Sequence, residues 1–153
     1  MSVRAHSPGH RRATMFLIPA FFAPTSELRA AFHRLRGVDI GPGVEIGYEV
    51  LIDNLYPNRV HIGKNATISA RSTILAHDEA QAYAWGGREE IADTVIGEGA
   101  FLGVASVILP GITIGAHAIV GAGSVVTKNV RERVAVAGVP AKELAKEVER
   151  RFG

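Results

Sequence analysis

Residues 94–130, "TVIGEGAFLGVASVILPGITIGAHAIVGAGSVVTKNV", repeat every six positions. Ile96, Leu102, Ile108, Ile114, Val120 and Val126 stand at strict spacing six. Four residues after each comes a small or aliphatic side chain: Ala100, Ser106, Ile112, Ala118, Ser124 and Val130. Glycine follows the key aliphatic directly at Gly97, Gly103, Gly115 and Gly121. The same beat runs upstream through Ile40, Ile46 and Ile52, and again through Ile62, Ile68 and Ile74.

Neither common period accounts for this pattern. A helix would place apolar residues at offsets of three and four, and a half-buried strand would alternate strictly. A period of six with turn-compatible residues predicts short strands joined by tight corners, three hexads making one triangular coil. Coils would stack by parallel strand pairing, each key aliphatic pointing into the prism where only its neighbours above and below can bury it. Glycine beside it suits corners that need positive φ or a close approach of backbones.

The beat breaks twice. Ile52 and Ile62 are ten residues apart, four more than one hexad, with the surplus around Asp53-Asn54-Leu55-Tyr56-Pro57. Ile74 and Ile96 are 22 apart, four more than three hexads. Insertions in a solenoid are loops on its outside, commonly on the binding face. The second break opens on His77, three residues after the inward Ile74, and carries Asp78, Tyr83 and Trp85. Of the other histidines, His6, His10 and His33 lie in the basic front end, as solvated or locally packed groups. His61 should point outward, and His117 occupies a variable corner.

Composition narrows the chemistry. The 153 residues are 47% hydrophobic and 21% charged, which suits one ordered domain or one protomer of an assembly. The absence of cysteine excludes disulfides, thiolate metal sites and cysteine nucleophiles. Net charge is +2, yet residues 1–37 hold six Arg against one Glu. That basic, apolar front end either packs on a neighbouring subunit or touches an acidic membrane surface. The packing reading is preferred, because "FLIPAFFAP" is too short and proline-broken to span a bilayer. Arg11-Arg12 ahead of it resembles a twin-arginine signal, but no small-x-small cleavage site follows cleanly, so a cytoplasmic location is expected.

"VILPGITIGAHAIVGAGSVVTKNV" with "AVAGVPAK" closely resembles the closing coils of the hexapeptide-repeat acyltransferases. That family includes galactoside, maltose and xenobiotic acetyltransferases and the O-acetyltransferases of surface polysaccharides. The resemblance covers about residues 37–145 and extends to "GVDIGPGVEIG" and "VHIGKNATISA". It implies an all-β fold, a left-handed parallel β-helix over 37–139, an exception to the right-handed crossover rule. Insertions fall near 53–59 and 77–93. Residues 1–36 form a basic, apolar, partly helical segment. Residues 140–153 read as a short helix whose Leu144, Val148 and Phe152 share a face that caps the prism. The resemblance further implies a homotrimer with active sites between subunits and a small-molecule or glycan acceptor. Contact with membrane-associated glycan machinery is a peripheral expectation, and no nucleic-acid partner is expected.

The chemistry implied is O-acetyl transfer from acetyl-CoA, with no metal required. His77 falls where the family carries its catalytic histidine. A neutral imidazole, with a pKa of about 6.5 in isolation, can take the proton from an acceptor hydroxyl. The oxygen then attacks the thioester directly, since no cysteine or Ser/His/Asp spacing offers a covalent route. Asp53 and Asn54 suit hydrogen bonding to a polyol, or a turn before Pro57. Asp78 would orient a histidine or bind acceptor hydroxyls, or be a solvated loop acid. Tyr83 and Trp85 would wall the acceptor or coenzyme channel, or anchor the loop on a neighbour. Carried over by position, the coenzyme groove comprises Phe101, Gly103, Val104, Ala122, Thr127, Lys128 and Lys142. Gly103-Val104 backbone N–H groups are the oxyanion candidates, and the two lysines supply charge for phosphates.

Two rivals remain beside an N-acyltransferase of an amino or nucleotide sugar. A β-helix carbonic anhydrase needs three zinc-binding histidines across a subunit boundary, and His61, His77 and His117 include no close pair. A non-enzymatic trimeric scaffold would explain the repeats but not the histidine at the loop.

Overall fold

The computed structural model describes residues 14–144. Two helices, α1 (Leu17–Phe22) and α2 (Ser26–Arg36), lead into a stack of very short strands. α2 has the start and stop its sequence encodes: Thr25 Oγ1 accepts from Leu28 N–H, and Gly37 ends it with left-handed φ.

Consecutive strands fall on different sides of a triangular prism. The first side stacks β1 (Asp39–Ile40), β4 (Val60–Ile62), β9 (Thr94–Ile96) and β12 (Thr113–Ile114). The second stacks β2 (Glu45–Ile46), β5 (Thr67–Ile68), β10 (Phe101–Leu102), β13 (Ile119–Val120) and β15 (Ala135–Gly138). The third stacks β3 (Leu51–Ile52), β6 (Thr73–Ile74), β11 (Val107–Ile108) and β14 (Val125–Val126). Every pairing between coils is parallel and puts inward aliphatic on inward aliphatic. Ile40, Ile62, Ile96 and Ile114 align on one side; Ile46, Ile68, Leu102 and Val120 on the next; Ile52, Ile74, Ile108 and Val126 on the third. These columns are the core, and they are buried.

The corners divide two tasks between two positions. Immediately after the inward residue the coils approach most closely. A Cβ on Gly97 would lie 2.6 Å from the Ala116 nitrogen and 2.7 Å from the Gly115 carbonyl carbon of the next coil, closer than atoms allow. Three residues after the inward residue the backbone turns through positive φ, at Gly43, Glu49, Asn65, Arg71, Gly99, Ala105, Gly111, His117 and Gly123. Of the two roles expected for the first set of glycines, close approach is therefore the one Gly97 serves. His117 is one of these corner residues.

Three corners lack the left-handed residue, those of Leu55, His77 and Asn129, and from the first two the insertions leave. Counting hexads across the second break gives three plus four residues, but the structure gives it a single rung. Ile74 ends one coil, Ile96 begins the next rung, and the surplus leaves the stack as an arm. The arm is an antiparallel pair, β7 (His77–Asp78) with β8 (Glu90–Ile91), topped by α3 (Ala80–Trp85). Its base is closed by Ala92 N–H on Ala76 O at 3.0 Å and Thr94 Oγ1 on Leu75 O at 2.6 Å.

The last coil is shortened. Val130, the aliphatic residue four places after Val126, bridges Ile114 and so starts the next rung itself. Where a helix is expected from Pro140, Ala141–Glu143 form β16, antiparallel to β15. Hydrogen bonds to a returning strand replace the helical turn; the rest of that expected helix, 145–153, lies outside the described residues, as does 1–13 of the front end. Among the described residues no helix is long and apolar enough to cross a membrane.

α2 closes the top of the prism with polar groups. Arg29 reaches Ile46 O at 2.8 Å and Ala23 O at 2.6 Å. Arg36 donates to Ile52 O at 2.8 Å and Asp53 O at 2.9 Å, and contacts His33 Nδ1 at 2.9 Å. His33 is wholly buried, rather than solvated, and its Nε2 has no hydrogen-bond partner. Burial, then the neighbouring Arg36 charge, pushes its pKa down to about 3.

Two outcomes follow. Gly97→Ala should destabilise the fold by about 1–3 kcal/mol through overpacking, read as a lowered thermal midpoint. His33 is neutral when folded but protonates near pH ~6.5 when unfolded. Its contribution to stability is thus full above that pH and declines as pH falls from there toward 3, by at most ~1.4 kcal/mol per unit. Urea midpoints at pH 7 and pH 5 should differ less in His33→Gln than in the wild type.

Candidate active site

Both insertions leave the third corner of consecutive coils, so their first residues adjoin. Asp53 follows β3 and His77 follows β6, one coil apart in a column whose strands pair. Asp53 Oδ2 lies 2.6 Å from His77 Nδ1 and accepts Ala76 N–H at 2.7 Å. Its Oδ1 accepts Leu55 N–H at 2.9 Å and Tyr56 N–H at 2.8 Å. Burial alone would raise this carboxyl. The bonds from Tyr56, Ala76, His77 and Leu55 outweigh burial and hold its pKa below the usual carboxylate range. An ionised carboxylate only accepts, so Nδ1 carries the proton and neutral His77 keeps its lone pair on Nε2.

Asp53 is wholly enclosed. Of the two roles expected for it, Asp53 serves the turn before Pro57, and the four donors around its carboxylate leave it no reach to an acceptor. Asp78 does not orient the histidine either; its Oδ1 caps Ala80 N–H at 2.7 Å at the start of α3. Asn54 is exposed beside the site, and Tyr83 and Trp85 stand out from the arm, 83% and 81% exposed.

Three residues that sequence reading overlooked join the site. The Tyr56 ring sits edge-on to His77, centroids 5.4 Å apart, and its hydroxyl donates to Glu89 Oε2 at 3.2 Å. The carboxylates of Glu79 and Glu89 and a ring nitrogen of His77 lie within 4.8 Å of one another. The available signal was positional: both breaks follow the third inward residue of their coil, which makes them neighbours.

The residues expected to hold coenzyme separate into two groups. Thr127, Lys128 and Lys142 line one cavity of about 330 Å³ together with Asn129 and Val130. Thr127 and Lys128 follow β14, on the edge that carries His77. Phe101, Gly103, Val104 and Ala122 belong to the second side and its corner, one rung away. Phe101 and Val104 are exposed. The Gly103 N–H, an oxyanion candidate, is engaged by Val120 O at 2.8 Å in the coil ladder, so that donor is committed to the fold.

Residues 93–128 match the family model described as bacterial transferase hexapeptide, six repeats. Serine acetyltransferase 2 of Arabidopsis thaliana is 40% identical over 118 residues, covering 75% of this chain and 34% of that protein. A maltose O-acetyltransferase from Clostridium difficile 630 superposes with TM-score 0.67 at 20% identity, over 89% of this chain and 84% of that one. A galactoside acetyltransferase in complex with coenzyme A gives TM-score 0.65 at 23% identity, over 90% and 80%. These likenesses establish the left-handed parallel β-helix. The chain carries the hexapeptide repeat of bacterial transferases and is similar over about three quarters of its length to acetyltransferases that carry it. It spans about a third of the length of the serine acetyltransferases it matches.

Asp53→Asn should cost about 1–3 kcal/mol at pH 7, since the buried donors lose a charged acceptor. The native carboxyl titrates below its unfolded value of about 3.9, so the stability it contributes is present above that pH and is lost as pH falls below it. Denaturation of both proteins between pH 7 and pH 3 should show the gap closing in acid.

Proposed function

We propose that this protein is an acetyl-CoA-dependent O-acetyltransferase with His77 as general base. The observation that carries the reading is the His77–Asp53 pair at 2.6 Å, which leaves His77 basic at Nε2 on the rim of an insertion. The acceptor hydroxyl gives its proton to Nε2 while its oxygen attacks the thioester carbonyl carbon. The C–S bond then breaks and the coenzyme thiolate takes the proton back from the imidazolium. Asp53 holds the ring and offsets the charge that forms on it.

The donor would lie along the edge of Thr127 and Lys128, its phosphates near Lys128 and Lys142. A cavity of about 330 Å³ suits one end of such a ligand. Phe101, Gly103, Val104 and Ala122 sit on another edge of the prism, up to ~20 Å away by the reach of six extended residues. A threefold assembly would bring that edge of one protomer against the His77 edge of its neighbour, completing the groove. Asn54, Asp78, Tyr83 and Trp85 would then face the acceptor, a sugar or polysaccharide precursor. A second reading is a hydroxyl on an amino-bearing small molecule; its support is the 40% identity to serine acetyltransferase 2.

The test is consumption of acetyl-CoA against panels of sugars, nucleotide sugars, antibiotics and serine. His77→Ala should lower turnover by about 10²- to 10⁴-fold with the assembly intact by light scattering. Near-native transfer by that variant would refute the assignment.

A further inference from the structure

The two insertions meet at one side chain. Tyr56, on the first, donates its backbone N–H to Asp53 at 2.8 Å and sets its ring edge against His77. Its hydroxyl reaches across to Glu89 Oε2 at 3.2 Å on the second insertion, one residue before β8. A further contact between the same insertions is the Arg59–Asp93 ion pair at 3.2 Å, but it is half exposed and lies at the foot of the arm. Tyr56 touches Asp53, His77 and Glu89 at once.

We propose that Tyr56 is a positioning residue: it clamps the arm to the first insertion and holds the Glu89 carboxylate beside the His77 ring. The proposal rests on the reading of His77 as the base. When His77 takes a proton it becomes a cation, and Glu89, Glu79 and Asp53 are the anions that face it from the arm, the approach to α3 and the corner after β3. Asp53 is fixed by four donors. Glu89 stands on the arm, and a phenol donating to an ionised carboxylate is a charge-assisted bond suited to fixing it. The ring of Tyr56 meanwhile restricts rotation of the imidazole. Tyr56 touches no acceptor in this scheme; it acts through Glu89 and His77.

Tyr56→Phe removes the hydroxyl and keeps the ring, so the fold should survive. Hydrogen exchange on the intact protein should quicken about 5- to 10-fold for amides of residues 77–91 and remain unchanged in the coils. In acetyl transfer, kcat should fall about 10-fold with KM for acetyl-CoA within twofold, and Glu89→Ala, which removes the acceptor, should do the same. The double variant should be no slower than either single one, because both remove the same contact. Unchanged exchange in the arm, unchanged kcat, or fully additive losses would each overturn the proposal. If the wild type transfers acetyl to no acceptor tried, the functional reading fails. The exchange measurement still decides the clamp, and protection equal to wild type refutes it.

Discussion

Burial of one aliphatic column on each side of the prism is the condition on which everything else depends. Each strand is two or three residues long, so its inward side chain is covered only by the coils directly above and below. Coils at strand-pairing distance of about 4.8 Å leave no room for a Cβ at several positions after the inward residue. Gly97 shows this against Ala116. The chain must also turn through positive φ at regular intervals. Extra residues therefore cannot be absorbed within a rung and have to leave at a corner.

That rule puts the chemistry where it is. Both insertions leave the third corner of successive coils, so the ladder that stacks Ile52 on Ile74 brings the Asp53 carboxylate within reach of the His77 ring. A buried carboxylate is costly unless donors surround it. Here the insertion itself supplies two, the next coil a third, and the imidazole the fourth. Beneath it, Arg36 of α2 holds the carbonyls of Ile52 and Asp53, and the Asp53 charge favours the guanidinium that burial penalises. The helical cap thus braces the corner from which the site is built.

Much of this was legible in the chain. The inward aliphatics at spacing six identify the three main columns of the core, and both breaks mark real departures from the stack. His77 stood out because it occupies a corner that abandons the repeat. Other features were not legible, for definite reasons. The hexad count across 74–96 could not distinguish added coils from an arm, because spacing measures contour length and not direction. Asp53 looked like a polyol ligand because a buried acid and an exposed one have the same letter. Ala141–Glu143 reads as the start of a helix, yet the returning strand β16 satisfies β15.

By itself the sequence determined the prism, its inward columns and the positions where it is interrupted, because these follow from a local period and from steric rules each residue obeys alone. Only the tertiary structure decided that Asp53 is turned inward to His77. It also brought Tyr56 to Glu89 across 33 positions of chain. Those relations depend on which corner each insertion leaves from and on how many donors converge there. Such facts exist only once the coils are stacked.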